Sequence, residues 1–360
     1  MSKAIAYIGT YTRTEPHVEG KAEGIYTCQV DLETGALKIT SVAGGVTNPS
    51  FVCTDTNNNF LYAVQEIEQF QGHAGGAASA FRIDPQSGAL EIINSQPTHG
   101  EHPCYVSIDK TGRWLLVANY GGGSISVLPI KPDGSLGEPT AVVKHTEKPT
   151  HHNGPHPHSI LEAPGEGSYI LVPDCGLDRI YVYKLDTEKG TLTPHEKPWT
   201  MLAPGDGPRH ICFNAAGNFV YCVNERSSSL SVLSYDQSNG TLELLQTVST
   251  LPADFSGGNS CADIHISADG RYVYGTNRGH NSLAIFAIDQ NSGLVELVGH
   301  CSTEGRTPRN FAIVTDQLVL AANQDTHTIV PFKRDPASGT LSQAGPANEV
   351  FSPVCVHIVR

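Results

Sequence analysis

Apolar and polar residues alternate in short runs along nearly the whole chain, and the runs come in groups of four. The clearest group opens with residues 208–242, PRHICFNAAGNFVYCVNERSSSLSVLSYDQSNGTL. After Pro208-Arg209-His210 comes a short apolar run, ICF, then a turn, AAGN. FVYCVNE is a second run, and LSVLSYD a third with apolar/polar alternation. A glycine turn leads to a fourth, LELLQTV. Each run has strand length, is rich in β-branched and aromatic residues, and is bounded by Gly, Asn, Asp or Ser. The pattern predicts a four-stranded antiparallel meander.

The same unit recurs along the chain. Its turn between the third and fourth strands centres on Gly35, Gly88, Gly134, Gly190, Gly240, Gly293 and Gly339. Five of these seven turns read D-x-x-x-G-x-L; the unit at Gly293 ends in Val295, and that at Gly134 is shortened to PDGSL. A period of roughly 45–55 residues with four strands per repeat is the signature of a β-propeller, and seven glycine turns predict seven blades. Innermost strands are expected to open at Pro49, Pro103, Pro157, Pro208, Cys261 and Pro308, which leaves the N-terminal unit one strand short. Residues 353–358, PVCVHI, supply it. Both ends of the chain then complete one blade, which removes an open sheet edge and ties the ring shut.

At 360 residues the chain is long enough for two ordinary domains, but the repeat predicts a single domain, residues 1–360. A net charge of −13 argues against a nucleic-acid surface. No apolar run of membrane-spanning length occurs. The opening MSKAIAYIGT has no signal-peptide pattern, and its apolar stretch is the first strand. The nine cysteines lie mostly within predicted strands without a C-x-x-C pair, and read as reduced core residues of a cytoplasmic protein.

Topology selects the functional face before any motif does. In an antiparallel meander the starts of inner strands, the ends of second strands, the two-to-three loops and the four-to-one connections share one face. All the long insertions fall there: residues 12–24, 66–76, 144–154 and 252–260. Insertions in repeat proteins collect on the binding face. Two positional series meet at its central mouth. One follows the inner-strand Pro or its equivalent: Ser50, Cys104, His158, Arg209, Ala262, Arg309 and Val354. The other ends strand two, with Gln65-Glu66, Asn119-Tyr120, Asp174-Cys175, Asn224-Glu225, Asn277-Arg278 and Asn323-Gln324, beside Thr10-Tyr11 of the first blade. The recurring Asn points to a structural role at a turn.

The register alone therefore gathers His158, Asp174, Arg209, Glu225, Arg278 and Arg309 around one mouth. Three guanidiniums in an acidic protein make a local cationic pocket suited to a small anion, since arginine holds carboxylate or phosphate bidentately and keeps its charge. Glu225 or His158 is the expected proton-transfer group, and an arginine can stabilise an oxyanion. No G-x-S-x-G elbow occurs, so water activated by a general base is the simpler hydrolytic scheme. The bland alternative is a rim whose charges merely pair with one another, Glu225 with Arg209 or Arg278. The histidine-rich segment with His145, His151, His152, His156 and His158 lacks a carboxylate at a partnering spacing, so no metal or other cofactor is expected and His156 reads as pocket lining. Gly121-Gly122-Gly123 is followed by a strand and is no phosphate loop of the strand–helix kind; His102 and His280 lie near the rim.

Seven stretches, in this order, resemble the seven-bladed propeller lactonase family, which includes propeller-type 6-phosphogluconolactonases and carboxy-cis,cis-muconate lactonizing enzymes. They are AYIGTYT; GIYTCQVDLETGAL; HPCYVSID with LLVANYGGGSISVLPI; GPHPHSI with DCGLDRIYVYKLD; GDGPRHICFN with YCVNE; DIHISADGRYVYGTNRGHNSLAIFAID; and RTPRNFAI with LVLAANQDTHTIVPFKRD. The resemblance spans essentially the whole chain. It implies metal-independent chemistry on a lactone and assigns active-site roles to His158, Arg209, Glu225 and Arg278. Asp174 and Arg309, from the register, and His156, from the histidine-rich segment, are expected at the substrate.

The leading expectation is hydrolysis of a sugar lactone, 6-phospho-D-glucono-1,5-lactone first, by a cytoplasmic monomer or weak homo-oligomer acting on a small anionic substrate. The first alternative is a muconate-lactonizing cycloisomerase using the same arginines on carboxylates. The second is a non-enzymatic propeller scaffold, disfavoured because the long-loop face is rich in Gly, His and charge and the chain has only two tryptophans, Trp114 and Trp199.

Overall fold

The computed structural model describes residues 4–148 and 154–360. Among them there is no helix. Seven four-stranded antiparallel sheets follow one another, with one short extra strand on the seventh and a two-stranded hairpin, Gln69–Phe70 with His73–Ala74, inside a loop. Ring closure is as expected: the C-terminal strand Pro353–Val359 pairs with Ala4–Thr10 and is the inner strand of the first blade.

Each blade buries both faces of its second and third strands, so seven of the apolar clusters among the described residues lie one at each interface between neighbours. Tyr62 and Val64 of the second blade pack with Leu115 and Val117 of the third. Tyr221 and Val223 of the fifth pack with Val273 and Phe286 of the sixth. The last interface joins Leu320 of the seventh blade to Ile8 and Cys28 of the first. Each fully buried side chain of this size contributes about 1.5–3 kcal/mol. No blade can be removed without exposing two such interfaces.

The repeated glycine has a definite task. In the D-x-x-x-G turn the aspartate accepts bonds from the amides two and three residues on, as Asp31 does from Glu33 and Thr34. The glycine then takes a positive φ, 71° at Gly35 and 65° at Gly190, a region that costs other L-residues about 1–2 kcal/mol. It also lies against the preceding blade. Its carbonyl accepts a tyrosine hydroxyl across the interface at Tyr7–Gly88, Tyr62–Gly134, Tyr221–Gly293 and Tyr274–Gly339. A Cβ at Gly190 would overlap the Trp114 ring, whereas one at Gly112, with φ 71°, meets nothing. Gly190→Ala is therefore expected to lower unfolding free energy by about 2–5 kcal/mol, strain plus overpacking, and Gly112→Ala by about 1–2 kcal/mol. Urea unfolding midpoints check this; equal losses would show that the interblade contact is slack.

Two inner strands depart from expectation. In the second blade regular pairing begins at Val52, not Pro49. In the fourth it is confined to Leu161–Glu162, with a lone bridge from Pro157 to Asp174 upstream, because Pro155 and Pro157 have no N–H to offer the ladder. The strand-two asparagines are structural, as expected: Asn119 Nδ2 donates to Ser124 and Ser126, and Asn224 Nδ2 to Ser229 and Ser231.

Candidate active site

Five of the seven inner strands, those of the first, third, fifth, sixth and seventh blades, shift register just where they open. Pro208 pairs with Asn224 and His210 with Val223, so Arg209 is an extra residue with no partner. Cys104 and Arg309 are extra in the same way in the third and seventh blades. A bulge bends its strand and re-aims a side chain. It turns Cys104, Arg209 and Arg309 onto the channel mouth, where His158 arrives just past the lone Pro157–Asp174 bridge.

There the long loops and strand ends enclose a cavity of about 420 Å³. Its inner wall is formed by Glu66, Cys104, Tyr120, His158, Glu225, Arg278 and Arg309. Its outer rim takes Glu15, His17, Glu68, His102 and Gln324, largely from the long loops. Beneath the floor is a void of about 10 Å³ bounded by His158, Arg209, His210, Arg309 and Glu66, close to the room one water needs.

Glu225 is the centre of the charged cluster. Its Oε2 accepts Arg209 Nε at 2.9 Å, lies 3.1 Å from Arg278 Nη2, and lies 3.9 Å from His158 Nε2. Burial alone would raise the Glu225 carboxyl, but Arg278, then Arg209 and Arg309, outweigh it and hold it at about 2. His158 is 4 % exposed. Burial first, then Arg209, push its imidazole well below the ordinary value, so it is neutral near pH 7. Its Nδ1 lies 3.6 Å from Cys104 Sγ, and Tyr120 packs edge-on at 5.3 Å. Burial, then Arg278, lower Arg209 to about 10.

Four of the six register-selected residues, His158, Glu225, Arg278 and Arg309, line the cavity together. Arg209 sits one layer below it, with Nη1 donating to the Ala262 carbonyl and to His210. Asp174 is not at the cavity. Its carboxylate is fully buried and occupied by His145 Nδ1 at 2.6 Å and by the amides of His156, Gly176 and Leu177. It ties the fourth-blade loop together. His156 stacks on Tyr120 with its Nδ1 donating to that residue's carbonyl, and so stands behind the wall. Register placed the aspartate and the histidine-rich segment suggested the histidine as lining, but local backbone donors claimed the first and ring stacking turned the second. His151 and His152 lie outside the described residues. Among the described residues no group of three or more His, Cys, Asp or Glu is arranged to hold a metal.

Glu66, which lines the cavity, and its partners Tyr11 and Ser50 stood in the two series without being singled out for chemistry. Tyr11 donates to Glu66 Oε1 at 2.8 Å and accepts from Arg309 Nη2 at 3.1 Å. Ser50 donates to the other Glu66 oxygen. Glu15, His17 and Glu68 arrive on loops, where length was the only signal. His102 lines the rim 3.7 Å from Glu68, while His280 bonds Ser282 and packs on Phe255 away from it.

Comparison with known proteins accords with this geometry. A family profile described as "Lactonase, 7-bladed beta-propeller" matches residues 5–358. The chain is 38 % identical to a 6-phosphogluconolactonase of Bacillus subtilis over 100 % of this chain and 99 % of that one. Among solved structures it is similar to the periplasmic gluconolactonase of Pseudomonas aeruginosa, with 35 % identity, TM-score 0.92 and coverage of 100 % and 99 %. It is also similar to a putative 6-phosphogluconolactonase of Bacteroides fragilis, with 34 % identity, TM-score 0.90 and coverage of 100 % and 98 %.

Proposed function

We infer that this chain, which belongs to the seven-bladed β-propeller lactonase family and hydrolyses a sugar lactone, takes 6-phospho-D-glucono-1,5-lactone and returns 6-phosphogluconate. The observation that carries the substrate is full-length similarity to an enzyme named for it, joined to two arginines, Arg278 and Arg309, on the cavity wall. Guanidiniums suit a phosphate or a polarised carbonyl oxygen. We propose further that it serves the pentose phosphate pathway in the cytoplasm, as a monomer or weak homo-oligomer and without a metal.

The residues divide the labour as follows. His158, on the cavity wall, acts through Nε2 as a neutral base. It takes a proton from water as the water oxygen bonds to the lactone carbonyl carbon. Arg278 or Arg309 holds the oxygen on which charge develops. The ring C–O bond then breaks, and His158 returns the proton to the leaving alkoxide. The imidazolium formed in between lies beside Glu225, whose carboxylate stays ionised. At 3.9 Å the pair is too long for a hydrogen bond and short enough for ion pairing once His158 is charged. Arg209, below the floor, anchors Glu225. The pairing a purely structural rim would show is thus present, but it has a neutral imidazole and a solvent-open cavity beside it.

The test is release of 6-phosphogluconate from freshly made lactone, above the spontaneous rate, with chelator present, between pH 5 and 8. His158 is held below 6.5, so its base form is complete above that pH and is lost only as pH falls through the depressed value. Enzymatic kcat/KM is expected to be flat from pH 8 to below 6.5. A rising limb centred at or above 6.5 would remove His158 as the base. A second substrate reading, the unphosphorylated gluconolactone, is favoured by the 35 % identical gluconolactonase and by Glu66 and Glu68 in the lining. Faster turnover of glucono-1,5-lactone in the same assay would select it.

A further inference from the structure

Below the cavity floor, His210, Asp263 and Asn310 form a second polar layer that the proposed chemistry does not use. Asp263, 3 % exposed, sits at its centre. Its Oδ1 is 2.8 Å from His210 Nδ1. Its Oδ2 accepts Asn310 Nδ2 at 2.5 Å and Phe311 N at 3.3 Å, and lies 2.9 Å from His265 Nε2. The other side of the His210 ring points upward: Nε2 is 3.2 Å from Arg209 Nη1. Phe51 and Tyr105 pack edge-on against this ring at 5.9 and 5.2 Å, which fixes its plane.

A guanidinium has only donors. The His210 Nε2 that meets it must therefore offer its lone pair, which puts the ring proton on Nδ1, where a carboxylate receives it. We propose that Asp263, acting through the tautomer of His210, positions Arg209 and with it the carboxylate of Glu225. The chain of contacts runs Asp263 Oδ1, His210 Nδ1 and Nε2, Arg209 Nη1 and Nε, Glu225 Oε2, each step 3.2 Å or less. The arrangement is self-consistent in charge. Burial, then Arg209, keep His210 neutral with its pKa at about 4, while the two imidazoles hold Asp263 ionised against its own burial. Neither Asp263 nor His210 lines the cavity, although the His210 ring packs edge-on against His158 at 5.3 Å, so their role is one of positioning. The inference rests on the reading that Glu225 backs the base.

Asp263→Asn tests it. The amide has one oxygen where the carboxylate had two, and Asn310 Nδ2 and Phe311 N are both donors that claim it. The amide nitrogen then turns to His210 as a donor, the tautomer inverts, and Nε2–H confronts Arg209 N–H. Loss of such a supporting contact is expected to lower kcat by about 10- to 100-fold with KM unchanged. In a His210→Gln background there is no tautomer to invert, so adding Asp263→Asn is expected to cost nothing further. An equal cost in both backgrounds overturns the proposal, as does a silent Asp263→Asn beside a damaging Arg209→Ala. An Arg209→Ala enzyme with full kcat instead overturns the reading of the site on which the proposal stands. Should Asp263→Asn not fold, imidazole nitrogen NMR of the wild-type protein decides. A neutral His210 protonated on Nδ1 at pH 7 supports the proposal, and a proton on Nε2, or on both nitrogens, overturns it.

Discussion

His158→Asn is expected to reduce kcat for lactone hydrolysis by about 10²–10⁴-fold, the range for removal of a general base, with little change in KM. The asparagine keeps a polar group near Cys104 and Tyr120 but has no nitrogen that can take a proton. Because the wild-type ring is neutral and almost fully buried, the substitution leaves no unpaired charge behind. Folding is expected to survive, so the kinetic loss can be read as chemistry. The companion variant is Glu225→Gln. It removes the partner of the imidazolium and also leaves Arg209 and Arg278 without their counter-charge, so it should weaken both kcat and stability. A fully active His158→Asn beside an inactive Glu225→Gln would transfer the base to Glu225. The field of three arginines counts against that outcome, since a carboxylate held at about 2 is a poor proton acceptor near neutrality.

Arg278→Ala should cost about 10²–10³-fold in kcat/KM, the typical loss when one donor to a developing oxyanion is deleted. Arg278 ends the second strand of the sixth blade, is anchored by the Cys261 carbonyl at 2.8 Å and by Glu225, and reaches the cavity. Lysine in its place should recover only part of the loss, because a point charge cannot keep both anchors and still face the substrate. The substrate contrast is informative. A greater loss on the phosphorylated lactone than on glucono-1,5-lactone would assign Arg278 to the phosphate. An equal loss on both would assign it to the carbonyl, and leave Arg309 for the phosphate. No loss on either would take Arg278 out of the site.

The ring of blades was legible because its landmarks are local. Seven glycines with positive φ, the aspartate that precedes most of them, and the alternation of strands two and three each depend on a few neighbouring residues. The site was legible to the extent that blade register fixes position: His158, Glu225, Arg278 and Arg309 meet because equivalent residues of a closed ring must meet. Register did not say which way a side chain turns once it arrives. Asp174 shares that register and His156 lies two residues before His158, yet one is taken by the amides of its own loop and the other by the face of Tyr120. His210 and Asp263 went unnoticed for a different reason. Strict alternation sends the neighbour of a channel-facing residue into the blade, and only the bulge at Arg209 lets two consecutive side chains serve the channel.

By itself, then, the amino-acid order determined the all-β class, the number of blades, the closure of the ring by its own C-terminus and the face on which the charged cavity opens, because strand periodicity and turn stereochemistry are short-range. The tertiary structure alone decided which charges share a cavity, which are spent on each other, and which protonation states they hold. Glu225 is ionised and His158 neutral because three arginines from separate blades and burial by the whole ring act on them at once. Those are sums over space, and no stretch of sequence contains them.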